Sequence, residues 1–482
     1  MYKKAAIYAS SVLSFLLLAE GMSVSAEVSY NYNGRGDSVA SQAGYKAVLA
    51  ISGSELGCGE FNEPSDIFAT DSGEFFIADK ENNRIVEISS DFKSSVREYS
   101  TFSEKNGAKT TLSKPEGIFV SDDGYMYIAD TGNSRIIVSD MECNIKMTIT
   151  KPESAIYENE TFKPTKVAAD KSGNIYGVFN NVTGGAAFFD SSGEFCGYFG
   201  ANSVEVSAEA AANYFKRIFA TDKMRAASFR STPTGIAGFD IDNEGFFYTV
   251  TEASVSDSER VKKINAAGVN LFENLDLTFG DLHSVKTRFI DIDVDDAGRI
   301  CCLDMETGRV FQYDENGSLL FIMGGRGERL GGFSVQPTAV ESVGNSIYVT
   351  DGLKNTITVF EETSFGRAVH NASELYNDGL YDEALEPWQE VLRLDGNYQA
   401  AYLGMSASLL ISGDYKGAME YAELGGSSYH YNKAFERYRA KWLDENLSYV
   451  IFAAVLFVIL CVIFRRYRKK RHKITEEGTE QS

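Results

Sequence analysis

The sequence predicts an all-β body built as a ring of six small antiparallel sheets, followed by a short helical segment and one membrane-spanning helix. Three observations carry this reading. A Pro-to-Gly motif recurs between residues 64 and 351. The β pattern then yields to a repeat of helical spacing. An uncharged apolar run near the C-terminus is followed at once by a string of cations.

In the clearest copies of the motif, Pro64, Pro115 and Pro164 each stand nine residues before a turn glycine: Gly73, Gly124 and Gly173. Each glycine leads into an apolar strand, at Phe75, Tyr125 or Ile175, and a third strand follows from Arg84, Arg135 or Ala187. Weaker copies carry Gly245, Gly298 and Gly344, and five of the seven prolines open a unit. Proline can begin a ladder but not sit inside one. An Asp-x-Gly or Asp-x-x-Gly turn reverses the chain because glycine accepts positive φ. A fourth strand is expected to end in Phe-Gly, at Phe199-Gly200 and Phe279-Gly280. One such sheet cannot bury both faces alone, and radial repetition solves this, which is the β-propeller. The last repeat ends after its third strand, Thr356 to Phe360, whereas Tyr45 to Ile51 precedes the first repeat with fourth-strand character. The two are expected to pair and close the ring.

The motif resembles the NHL repeat family over roughly residues 44–362. The resemblance implies six blades around a central channel. Residues 201–230 lengthen the link between blades three and four, with Tyr214, Phe215, Ile218, Phe219 and Met224 at near-helical spacing. This insertion is expected to cover one channel mouth, either as a packed lid or as a docking surface presenting Tyr214, Phe215 and Arg217.

Beyond the propeller, Gly379, Tyr381 and Ala384 recur 34 residues later as Gly413, Tyr415 and Ala418. That is the tetratricopeptide (TPR) period, so residues 363–446 resemble a small TPR-like stalk. Leu447 to Phe464 then carries no charge, and its 18 residues cover about 27 Å as a helix. Seven cations follow between Arg465 and Lys473, a stop-transfer pattern that keeps the tail 465–482, too short to fold by itself, in the cytoplasm. At the other end, Lys3 and Lys4 precede an apolar stretch and the small residues Val24-Ser25-Ala26. This reads as a secretory signal over 1–26, with 27–43 an N-terminal extension. The body is then expected outside a bacterial cell membrane.

The formal net charge is −22, and the cations concentrate in the tail, so the body is more acidic still. Nucleic acid is excluded as a partner, because its phosphates would be repelled. The six cysteines are too sparse and irregular for a disulfide framework or a Cys-based metal site. Of the four histidines only His283 falls within the propeller, so neither a His-rich metal site nor a Ser-His-Asp triad is expected. The pairs Asp79/Arg84, Asp130/Arg135 and Asp304/Arg309 repeat one spacing and read as structural. Arg35-Gly36-Asp37 reads as a chance tripeptide in a polar extension.

The expected function is a scaffold that binds an envelope protein, a transporter component or a surface glycan, with no cofactor. The alternative comes from six-bladed relatives that are metal-dependent lactonases or lyases. Here Glu63, Glu116 and Asp291, near the starts of first strands, could line the channel mouth and hold the metal.

Overall fold

A computed structural model describes residues 29–479, apart from 155, 156, 158–160, 183, 203–234, 252–256, 274, 276 and 283–286. The chain divides into two compact units, one ending at Val369 and one starting at His370, with Asn33–Arg35 grouped with the second.

The first unit is a six-bladed β-propeller. Its innermost strands are Pro64–Ala69, Pro115–Val120, Pro164–Ala169, Gly238–Ile241, Phe289–Val294 and Pro337–Val343. Each begins an antiparallel sheet that proceeds outward in chain order. The second strands are almost wholly buried because a blade lies against each of their faces. Alternation divides the labour within one strand. Phe75 and Ile77 of Phe75–Asp79 pack with Ala339 and Ile357 of blade six, while Phe76 and Ala78 pack with Ile118 and Ile128 of blade two. Truncating a ring such as Phe76, 2% exposed, should cost about 3–5 kcal/mol.

Blade six takes its outer strand from the beginning of the chain. Tyr45–Ser52 runs antiparallel to Thr356–Glu362, with Tyr45 opposite Glu362 and Ser52 opposite Thr356. The ring is therefore fastened by a ladder between distant parts of the sequence, and neither end is left as an open edge. Blade four departs from expectation. It has three strands among the described residues, ending at Val261–Ile264. Phe279 is not in a fourth strand; its ring instead packs between Phe272 and Tyr313. The N-terminal extension forms a hairpin, Tyr30–Tyr32 with Ser38–Ala40, whose turn carries Arg35-Gly36-Asp37. Tyr30 and Tyr32 both donate to the Asp281 carboxylate, at 3.1 and 3.0 Å, and so fix the hairpin to the ring.

The helical region comprises α1 (Ser364–Asn377), α2 (Tyr381–Leu394), α3 (Gln399–Ser412), α4 (Tyr415–Leu424) and α5 (Ser428–Thr479). Small residues let α2 and α3 approach closely. A Cβ on Gly404 would lie 2.4 Å from the Trp388 indole. Gly413 adopts φ +88° to end α3, and the Asp414 side chain accepts the Gly417 N–H to cap α4. Among the described residues, α5 is the one helix long and apolar enough to cross a membrane. It continues past Phe464 to Thr479. No proline breaks that stretch, and Arg, Lys and Glu are good helix formers.

Candidate functional site

The innermost strands bring two rings of side chains into the channel. Five of the six strands carry a bulge right after their first residue, for example between Pro64 and Asp66 and between Pro115 and Gly117. This extra residue resets the alternation. The positions that line the channel are Asp66, Lys166 and Asp291, and two residues on, Phe68, Phe119, Ala168, Asp240, Asp293 and Glu341; Gly117, Gly238 and Ala339 hold the matching first-ring positions in the alternate blades.

The first ring closes the channel. Lys166 reaches from blade three to Asp66 of blade one at 2.5 Å and to Asp291 of blade five at 2.8 Å. The alternate blades leave room by supplying Gly117, Gly238 and Ala339. A Cβ on Gly117 would stand 2.6 Å from the Thr165 carbonyl oxygen. Each carboxylate also stitches its blade to the next. Asp66 accepts the Ile118 N–H at 2.9 Å, and Asp291 accepts the Val340 N–H at 3.0 Å. Burial alone would lower the Lys166 pKa, but the charges of Asp291 and Asp66 outweigh it and hold the ammonium above its ordinary value. Burial raises the Asp66 carboxyl to about 6 against the pull of Lys166.

The second ring is lopsided. Blades one to three present Phe68, Phe119 and Ala168, with the two phenyl rings 4.9 Å apart. Blades four to six present Asp240, Asp293 and Glu341. These acids are stitched to the following blade as well. Asp240 accepts the Val294 N–H at 2.8 Å, Asp293 the Ser342 N–H at 2.9 Å, and Glu341 the Ala69 N–H at 2.7 Å. None of the three forms an ion pair among the described residues, although Asp295 close by has Arg299 at 2.6 Å. Burial raises the Asp240 carboxyl to about 7, and raises Asp293 and Glu341 well above the ordinary carboxylate range. Mutual repulsion adds to the effect, as Asp240 faces Asp291, and Asp293 and Glu341 both face Asp240.

Side chains of the two rings form the floor and wall of a cup of about 1400 Å³. Its rim is made by the turns between first and second strands, including Asp71, Asp122, Lys171, Asn243 and Asp296.

Of the acids singled out from the sequence, only Asp291 lies in the cup. Glu63 and Glu116 share Lys80, at 2.8 and 3.5 Å, at the opposite end of the first strands. The three do not converge, so the metal-holding arrangement expected of Glu63, Glu116 and Asp291 is not formed. The repeated Asp/Arg pairs split two against one. Arg84 meets Asp79, and Arg135 meets Asp130, each at 2.7 Å. Arg309 turns instead to Asp281 at 2.8 Å, and Asp304 accepts the N–H of Arg288, Glu306 and Thr307. The Tyr30/Tyr32 hairpin presents Asp281 to Arg309, which explains the exchange. His283, together with Tyr214, Phe215 and Arg217 of the insertion, lies outside the described residues.

No protein-family model matches the chain, and no curated protein matches it. Its structure is similar to the virginiamycin B lyase of Staphylococcus aureus, with a TM-score of 0.41 and 13% identity over 66% of this chain and 100% of that one. It is similar to the extracellular domain of BT4673 from B. thetaiotaomicron, with a TM-score of 0.37 and 15% identity over 68% and 40%. PorZ, a surface component of the type-IX secretion system of Porphyromonas gingivalis, gives a TM-score of 0.37 and 13% identity over 67% and 48%. At these identities the likeness concerns the propeller fold alone.

Proposed function

We propose that the chain is an NHL-type propeller held at the outer side of a cell membrane by α5, where its cup binds a partner in the cell envelope. The observation that carries this reading is the cup itself. Five carboxylates lining it are each tied to a backbone N–H of the next blade, so its walls are organised before anything arrives. Preorganised, concave walls with a few fixed polar groups suit recognition. The apolar window of α5 and the cations after it support the orientation, with the propeller outside and the C-terminus inside. The helical segment serves as a TPR-like spacer between ring and membrane.

A photo-crosslinking residue at Asn243, on the rim, tests the reading in intact cells. The expected result is a single enriched envelope protein by mass spectrometry, absent when the probe is moved to Val96 on an outermost strand. Equal labelling from both positions would contradict it. Protease added to intact cells should digest the propeller and spare a tag placed after Ser482.

A second reading is favoured by the raised carboxylates, since perturbed acids in a cleft are a mark of acid–base sites. In that reading the cup belongs to a lyase or hydrolase. Turnover of a lactone or ester by the purified chain, lost in Asp240→Asn and Asp293→Asn, would establish it.

A further inference from the structure

We propose that the cup takes a cationic organic group, a guanidinium or ammonium on an apolar stem, with Asp240, Asp293 and Glu341 around the charge and Phe68 and Phe119 along the stem. The inference rests on the binding reading above and names the ligand's chemistry.

The carboxylates are the starting point. Asp240 spends both oxygens on backbone donors, Ile241 N–H at 2.7 Å and Val294 N–H at 2.8 Å. Asp293 is only 8% exposed, and its Oδ2 accepts from the backbone and hydroxyl of Ser342. Its Oδ1 accepts nothing among the described residues and lines the cup. Glu341 likewise uses Oε1 on Ala69 and leaves Oε2 without a partner there. A buried carboxylate without a countercharge is costly, and proteins ordinarily pair it or neutralise it. Three other acids of the cup are paired, Asp66 and Asp291 with Lys166 and Asp295 with Arg299. Among the described residues the second ring thus has no countercharge, and the proposed ligand supplies one.

The opposite wall narrows the class. Phe68 and Phe119 are only partly buried and stand at the same level as the acids. Aromatic faces attract cations and cover apolar stems. An anion would be repelled, and a neutral glycan would leave the unpaired carboxylates without a cation. No three acid, His or Cys groups among the described residues converge as metal ligands. The charge is better met by a group that distributes several donors, as guanidinium does.

The test uses the full-length chain in detergent, with calorimetric titration of three probes: an arginine-containing peptide amide, spermidine and Ca²⁺. Saturable binding of the peptide or of spermidine is expected, weakened at least about tenfold by Asp293→Asn, by Glu341→Gln and by Phe119→Ala. Asp91→Asn, on an exposed outer turn, should bind as the native chain does. The tighter of the two organic probes distinguishes a partner's basic side chain from a free polyamine. Binding of Ca²⁺ alone would overturn the proposal, as would organic-cation binding indifferent to all three cup substitutions. If neither organic probe binds while the rim crosslink still captures one envelope protein, the cationic class fails and the binding reading stands. Loss of both the crosslink and the titration signal removes the two together.

Discussion

The floor and the wall of the cup lie two residues apart on the same strands, yet they treat buried charge in opposite ways. The floor neutralises Asp66 and Asp291 with Lys166, drawn from blades one, five and three, and empties the alternate positions to make space. The wall gathers three acids on one side, faces them with phenyl rings and supplies no cation among the described residues. Both use the same backbone stitching to the neighbouring blade. The contrast separates two meanings of a buried acid. In the floor it holds the ring together, and in the wall it stores unfavourable charge that a bound cation would relieve.

Breaking the floor should have the largest effect. Lys166→Met leaves Asp66 and Asp291 buried without a countercharge, and stripping one partner from such a cluster costs about 3–5 kcal/mol. Chemical denaturation of the purified chain measures this, and an unchanged midpoint would mean that the floor is not a structural ion cluster. Gly117→Ala should act at the same level more weakly. Its Cβ would meet backbone atoms of Thr165 and Lys166 that cannot swing away, an overpacking loss of about 1–3 kcal/mol.

The wall should respond to pH. The folded-state pKa of Asp240 lies at about 7, raised from 3.8 by burial. The folded chain therefore takes up this proton more readily than the unfolded chain. That contribution to stability is fully present below about pH 4 and is lost as pH rises through about 7. Asp240→Asn should thus flatten the change in stability between pH 5 and pH 8, whatever constant offset follows from losing one of the two oxygens that accept backbone N–H groups. Thermal melts of the two chains across that range are sufficient. A variant whose stability changes across that range as much as the native chain's would show that Asp240 does not titrate there.

The repeat made most of the ring legible. Proline, turn glycine and the following apolar strand locate the innermost and second strands, and the orphan third strand at Thr356 identifies its partner at Tyr45. Blade four was less legible because Phe279-Gly280 imitates a strand end while its ring fills a core between blades. The cup was missed for a specific reason. Simple alternation from the strand start points to Glu63 and Glu116, but the bulge after the opening residue shifts the facing positions by one. Reading down the repeat at the second and fourth residues after the proline gives Asp66 and Lys166, then Phe68, Phe119 and Glu341. The signal was present as a column rather than as a motif. Blades four and five lack an adjacent proline, so Asp240, Asp291 and Asp293 emerge only when their strands are aligned on Gly245 and Gly298.

The contrast between floor and wall is tested most directly by counting protons when a cation enters the cup. Near pH 6 the raised wall carboxyls carry protons, and an arriving cation favours their ionised form. Titration of the full-length chain with the arginine-containing peptide amide, in two buffers of different ionisation enthalpy, should show net proton release that falls in Asp240→Asn and persists at pH 6 in the native chain. Binding with no buffer dependence, or with a release from Asp240→Asn equal to that of the native chain, would contradict the account.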